Sequence, residues 1–377
     1  MNVTRIFNRL VEAYSLIPYH LFKGYSLPPV AYQLYVTRRC NLRCSFCFFL
    51  VTPNGASDAD LQREELSFHE LCRLVDELPK LGLLTFTGGE PFMRPDMVDL
   101  LSYSSRRRRS HIITNGSLVP AREIPRIISL GSRSIAGRGL VLLGVSVPGL
   151  ERAHERLTGV PGAFGRTMET LQRLVAEKRR QRRRYPLINM KTVITPHSLP
   201  ELVELYRLAI RTGTDIFNVL AEYSIRTTRE MNSKEFDMLE EHLETPENLD
   251  IHVLKDVLEE LQGMSRGTAT QLRITPPQVP VQYIMDHYAG RVDLSKYYCH
   301  SPWAKVEISP YGDVYPCLEY VAGNIREEPF MKIWNGTRFR EFRRRLKQKG
   351  LFKACQGCCN MEIKPGCEHR GNELLEI

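Results

Sequence analysis

Three cysteines fall within eight residues, Cys40-Asn-Leu-Arg-Cys44-Ser-Phe-Cys47, directly after the apolar run Tyr32 to Val36. A loop that must converge three thiols at the end of a strand constrains the fold more than any other stretch. Each thiolate can hold one corner of a cubane iron–sulfur cluster, which normally takes four protein ligands, so one iron stays open to a substrate or cofactor. A zinc knuckle or buried thiols would use the same residues, but zinc sites usually add a second pair at C-x2-C spacing and close all four positions. Of the ten cysteines, nine lie in two groups at metal-ligand spacing, which favours reduced thiolates over disulfides and a cytoplasmic location.

From Tyr32 to about Leu220 short apolar strands alternate with helical stretches, the pattern of a parallel α/β unit. Strands are expected at 32–37, 83–87, 111–114, 140–146, 187–194 and 215–220, and helices near 67–79, 95–105, 121–130, 164–180 and 198–211. Ser67 can cap the first helix, and Phe68, Leu71, Cys72, Val75 and Leu78 recur at helical spacing toward the sheet, which makes Cys72 a core residue. In parallel barrels chemistry gathers at the C-terminal strand ends. Here the cysteine loop follows the first strand, Thr87-Gly88-Gly89-Glu90-Pro91 the second and Thr114-Asn115-Gly116 the third. Gly88 and Gly89 let backbone approach a ligand with no Cβ in the way, Glu90 can pair with a cation, and Asn115 suits a turn.

The cysteine spacing after one strand, with Gly-Gly-Glu-Pro after the next, resembles the radical S-adenosylmethionine (SAM) enzymes. The resemblance implies a partial (β/α)6 TIM-type barrel over 31–221. It also implies a 4Fe–4S cluster on Cys40, Cys44 and Cys47 whose open iron chelates SAM, with Gly88, Gly89, Glu90, Asn115, Ser146 and Arg156 toward that cofactor. Reductive cleavage of SAM to a 5′-deoxyadenosyl radical would then remove hydrogen from an unactivated C–H bond, with electrons from an external donor such as flavodoxin or ferredoxin. Relatives with an accessory cluster tend to carry Ser-x-Asp-Gly after strand four; here Ser146 is followed by Val147-Pro148-Gly149, so the aspartate is missing, and Arg156 equally suits an ordinary helix face.

A second thiol group comprises Cys299, Cys317, Cys355, Cys358, Cys359 and Cys367. Ile308 to Tyr315, with Gly312, reads as a hairpin whose base brings Cys299 and Cys317 together, and Cys355 and Cys358 supply a second pair. A zinc ribbon would also use this spacing. The arrangement resembles the SPASM/twitch extensions of the same enzymes, and more closely the short twitch form with one auxiliary 4Fe–4S cluster, which implies a small iron–sulfur domain over 299–377. Cys359 and Cys367 are then left over; they are incidental, or Cys367 replaces a ligand, or one of them hands a hydrogen atom to a substrate radical. Residues 222–298 form a helical bridge, with helices at Ser233 to Leu243 and Val253 to Met264 and an extended linker from Pro276 to Pro280.

The 377 residues carry a net charge of +9, concentrated in Arg106 to Arg109, Lys178 to Arg184 and Arg338 to Lys347. Such runs are solvated faces or helix ends, or they meet an anionic partner: phosphate, lipid headgroups or an acidic peptide. No aromatic-interleaved module supports nucleic acid. Residues 1–30 form an amphipathic segment, with Ile6, Phe7, Leu10, Val11 and Tyr14 on one face and Ile17, Tyr19, Leu21 and Phe22 following. It either covers the bottom of the barrel or lies at a membrane interface as a peripheral contact. Some 30 residues before the first strand are few for a leader-binding domain, which argues for a small molecule; the resemblance to enzymes with one auxiliary cluster then implies dehydrogenation or epimerisation of a sugar or aminocyclitol, with a lipid-linked substrate next. Peptide modification with a separate leader-binding partner is the alternative, and a non-catalytic iron–sulfur redox sensor or nucleic-acid binder is the reading of another class.

Overall fold

The computed structural model describes residues 13–47, 63–222, 236, 249–275, 281–317, 320–358, 360–364 and 367. In chain order β1 (Ala31–Tyr35), α1 (Phe68–Glu77), β2 (Leu83–Thr87), α2 (Met97–Ser105), β3 (Arg109–Thr114), α3 (Ile124–Ser129), β4 (Gly139–Ser146), α4 (Glu151–Thr158), α5 (Ala163–Arg180), β5 (Leu187–Val193), α6 (Leu202–Thr212) and β6 (Ile216–Leu220) alternate. They are followed by α7 (Ile251–Ser265), β7 (Gln271–Thr275), α8 (Val281–Tyr288), β8 (Tyr297–Tyr298), β9 (Lys305–Ile308), β10 (Asp313–Tyr315), β11 (Gly323–Asn324), α9 (Phe330–Trp334), α10 (Thr337–Lys349) and β12 (Glu362–Ile363).

The six expected strands form, pair in parallel from β1 to β6 and carry the partial barrel of the fold class. The first helix forms for the reason its sequence gives. Ser67 and Glu70 make a reciprocal capping box, and Leu71, Cys72, Leu74 and Val75 turn inward, so Cys72 is core. The wide apolar layer between strands and helices includes Leu34, Phe86, Ile112, Leu143, Met190 and Phe217.

Three features add to the six strands. Within 222–298 the chain is not only helical: β7 adds a seventh parallel strand against β6, its Leu272 and Ile274 buried on alternate positions. On the opposite edge β9 pairs in parallel with β1, Ala31 to Lys305 through Leu34 to Ile308, while also forming the expected hairpin with β10. The C-terminal module is therefore continuous with the barrel sheet. Finally, α4 occupies the stretch carrying Arg156 and ends in left-handed Gly159. Of the bridge, the helix expected at Ser233 to Leu243, Phe236 excepted, and the linker at 276–280 lie outside the described residues.

Residues 13–21 of the N-terminal segment are helical, and the contacts of 19–27 run to the C-terminal module, including Trp303 just ahead of β9, which starts at the same end of the sheet as β1. Tyr19 meets Trp303 edge-on at 4.8 Å, Ser26 Oγ donates to Trp303 O at 2.7 Å, Trp334 Nε1 donates to Leu27 O at 2.8 Å, and Arg343 Nη1 donates to Gly24 O at 3.0 Å. Aromatic residues drive this docking, because Trp303 and Trp334 are almost fully buried under it. Ile6, Phe7, Leu10 and Val11 lie outside the described residues.

The arginine runs are largely consumed by the fold. Arg108 is buried and donates to the carbonyls of Val75, Leu78 and Pro79 at the end of α1, as a cation at a helix C-terminus should. Lys178 pairs with Asp215 at 2.5 Å, and Arg343 is buried against the rings of Trp334 and Phe339. No helix among the described residues is long and apolar enough to cross a membrane.

Candidate active site

Both thiol groups face one cavity. A space of about 400 Å³ is lined by Cys40, Cys44 and Cys47 and also by Cys299, Cys317, Cys355 and Cys358. The C-terminal strand ends deliver the first set, and the β9–β10 hairpin with the 355–358 turn delivers the second. That turn is held by Cys358 N–H donating to Cys355 O and by Gly357 N–H donating to the Tyr283 hydroxyl.

The glycines serve a purpose the sequence reading missed. A Cβ on Gly88 would strike the Thr37 carbonyl, and one on Gly89 would come within 2.7 Å of the Arg38 carbonyl and closer still to that of Arg39. Gly89 N–H donates to Thr37 O and Glu90 N–H to Arg39 O, each at 2.8 Å. Both glycines line the cavity, yet the close approach they permit is of the cysteine loop onto the end of β2.

Glu90 sits behind the same junction. Its carboxylate is fully buried and accepts from Phe92 N–H at 3.0 Å, Thr114 O–H at 2.6 Å and Asn115 N–H at 2.7 Å. These bonds brace the ends of β2 and β3 from behind the cavity wall. Burial pushes its pKa up to about 7, against the three hydrogen bonds that favour the ion. Asn115 lines the cavity and makes its turn, accepting from Ser117 N–H at 2.9 Å while its amide donates to Asn41.

Ser146 stands in the wall; Arg156 is exposed on α4 and does not. Cys367 lies beyond β12 near Tyr297, also outside the wall, and Cys359 falls outside the described residues.

The cysteines fit iron–sulfur clusters better than a single metal ion. A zinc ion needs its sulfurs about 2.3 Å from one point; among the described residues no three Cys, His, Asp or Glu side chains gather in that way. A cubane spreads its thiolates over separate corners and is tuned by N–H donors to sulfur. Such donors are present: Leu42 N–H points at Cys40 Sγ at 3.4 Å and Asn360 N–H at Cys358 Sγ at 3.4 Å. Burial, then Cys47 and Cys40, push the Cys44 thiol up to about 12, and burial with Cys355 raises Cys299. Thiols so crowded become thiolates only around positive charge.

The remaining wall is a polar belt on inward strand positions. Gln33 donates to the Tyr35 hydroxyl at 2.6 Å, Tyr35 donates to Glu307 Oε2 at 2.8 Å, and Lys305 pairs with Glu307 Oε1 at 3.1 Å. Lys191 joins them from β5. Behind it, burial followed by the charges of Lys191 and Arg273 holds His111 well below its usual pKa, as a neutral imidazole. None of the belt was singled out from the sequence. The alternation in Val306-Glu307-Ile308 puts Glu307 on the face opposite its apolar neighbours, but only the distant partner Tyr35 places that face inside and not in solvent.

In sequence, the description of the radical SAM superfamily matches residues 34–209 and that of the SPASM iron–sulfur cluster-binding domain residues 299–359. The chain is similar to an AdoMet-dependent heme synthase of Methanosarcina barkeri, 28% identical over 87% of this chain and 90% of that protein. It is also similar to a PqqA peptide cyclase of Granulibacter bethesdensis, 26% identical over 90% of this chain and 82% of that protein. In structure it is similar to Streptococcus suis SuiB bound to its precursor peptide SuiA, with a TM-score of 0.63 at 17% identity, covering 90% of this chain and 73% of that one.

Proposed function

The chain belongs to the radical SAM superfamily and carries a SPASM iron–sulfur domain, and from that premise we propose that it abstracts hydrogen from a peptide side chain held between its two clusters. The observation that carries this reading is the single cavity shared by Cys40, Cys44 and Cys47 with Cys299, Cys317, Cys355 and Cys358. When bound, the first cluster and SAM supply a hydrogen-abstracting radical, and the auxiliary cluster supplies a place for an electron. The chain's own residues position the target and keep water out. Leu42, Phe46, Leu220 and Phe352 form the apolar part of the wall, Glu307 meets a substrate N–H, and Lys191 meets a carbonyl or carboxylate.

The similarity to a peptide cyclase supports a peptide side chain as the target. A second reading, dehydrogenation or epimerisation of a small polar molecule, draws on the hydrogen-bonding belt of Gln33, Tyr35, Lys305 and Glu307.

One experiment tests the reading and separates the two. Anaerobically loaded enzyme with SAM and dithionite should release 5′-deoxyadenosine, and cell extract should raise the rate. Prior digestion of that extract with a broad peptidase removes the stimulation if the substrate is a peptide and leaves it if the substrate is a small molecule. A wild type no better than the Cys40→Ala, Cys44→Ala, Cys47→Ala variant would sink both readings.

The auxiliary cysteines should behave differently from the first set. Cys355→Ala with Cys358→Ala is expected to leave most SAM cleavage intact while product formation falls at least about tenfold, because radical generation needs only the first cluster. Parallel quantification of 5′-deoxyadenosine and product decides it; equal loss in a folded protein would count against separate roles.

A further inference from the structure

The described chain has seven large hydrophobic side chains that stand exposed, and four of them, Ile17, Leu21, Phe22 and Tyr25, fall within nine residues. Ile17 and Leu21 are one helical turn apart, so they share a face of the N-terminal helix, and Leu21 is 69% exposed. Isolated exposed leucines are ordinary; a cluster of this kind marks a surface that meets something apolar.

The surroundings of the cluster are cationic. Seven of the thirteen residues of α10 are Arg or Lys and one, Glu341, is acidic; Glu341 is already engaged by Arg345 at 2.7 Å. Arg343 is buried, Arg338 donates to the Val321 carbonyl at 3.3 Å and Arg345 lies over the Phe236 ring, while Arg340, Arg344 and Lys347 turn to the N-terminal segment. Arg340 donates to the Tyr25 hydroxyl at 2.6 Å and lies over its ring, and Arg344 packs beside Gly24. Lys347 donates to the carbonyls of Tyr19 and His20 at 2.8 and 3.2 Å. Arg344 and Lys347, three residues apart on α10, are exposed, as is Lys23 beside Gly24.

We propose that residues 17–25 and the outward side of α10 form a docking surface for an anionic lipid bilayer. Leu21, Phe22 and Ile17 would enter the headgroup boundary, Tyr25 would sit at the interface, and the cations of α10 would meet the phosphates. Charge selects this occupant over a second copy of the chain: a two-fold contact through the patch would set one α10 against another, bringing like charges face to face. The docking is independent of the proposed substrate, since none of these side chains lines the cavity.

The test uses the full chain with its clusters loaded. Sedimentation with unilamellar vesicles of phosphatidylcholine, alone or with about a third phosphatidylglycerol, should show binding at least tenfold tighter to the anionic vesicles and weakening as salt rises. Leu21→Ser with Phe22→Ser should lower that affinity tenfold or more, and Arg344→Glu should lower it on anionic vesicles only, both with unchanged SAM cleavage. Binding of wild type to neither vesicle, equal binding to both, or an unchanged Leu21→Ser, Phe22→Ser variant overturns the proposal. So does light scattering that finds a dimer which this variant splits, because the face would then be a protein interface.

Discussion

Gly89→Ala should strip the protein of its first cluster and lower SAM cleavage by about a hundredfold or more, the usual consequence of moving reacting groups by an ångström. The added methyl would collide with the backbone carbonyls of Arg38 and Arg39, the two residues that lead into Cys40. Backbone carbonyls cannot swing aside like a flexible side chain, so the strand end and the loop must part. The hydrogen bonds from Gly89 to Thr37 and from Glu90 to Arg39 go with them. Iron analysis should find a loss of about four atoms, with the auxiliary cluster retained. Full iron with wild-type cleavage would mean that the loop tolerates displacement and that its register on β2 is unimportant.

Glu90→Gln is the second large effect, and it acts through the same strap. Oε1 accepts from Phe92 N–H and Thr114 O–H, and Oε2 from Asn115 N–H. An amide in either orientation turns its own donor toward a backbone N–H that cannot reverse, at a site with no exposure. Leaving a buried donor unsatisfied costs about 1–3 kcal/mol, so the unfolding temperature should drop by several degrees.

The pH dependence gives a sharper readout. Glu90 is held near 7 in the folded protein, above its ordinary 4.5. Between those values the folded chain keeps a proton that the unfolded chain has lost. Its contribution to stability is thus complete below about 4.5 and disappears as pH rises through about 7. Thr114 is the partner that can accommodate the proton, since its hydroxyl already accepts from Gly116 N–H at 2.9 Å and can turn to accept from the carboxyl instead. Melting curves from pH 5 to 8 should show this slope in wild type and a shallower one in Glu90→Gln; parallel slopes would remove Glu90 as the cause.

Much of the barrel was legible because its signals are local. Each of β1 to β6 is a short run with alternating or continuous burial, and α1 announces itself with Ser67 and Glu70 three residues apart. The thiol sets were legible because cluster ligands have few substitutes. What escaped detection depends on partners distant in sequence. β7 follows a long helical stretch and has only five residues, so nothing nearby marks it as a sheet strand. Glu90 reads as a free acid until Thr114 and Asn115 are brought beside it, twenty-four and twenty-five residues on. The docking of residues 19–27 on the C-terminal module likewise joins positions some 300 apart.

The parallel pairing of β1 with β9 also sets a timetable for synthesis. Tyr35 and Glu307, joined at 2.8 Å, are 272 residues apart. At about 5–20 residues per second a ribosome needs roughly a quarter of a minute to a minute to make the second after the first. For that interval the backbone of β1 has an uncovered edge, able to pair with any extended chain in its vicinity. The cysteine loop that follows β1 leaves the ribosome equally early. Nascent chains are therefore expected to need a chaperone most in the window between residue 40 and residue 308, and release of that chaperone should coincide with emergence of β9.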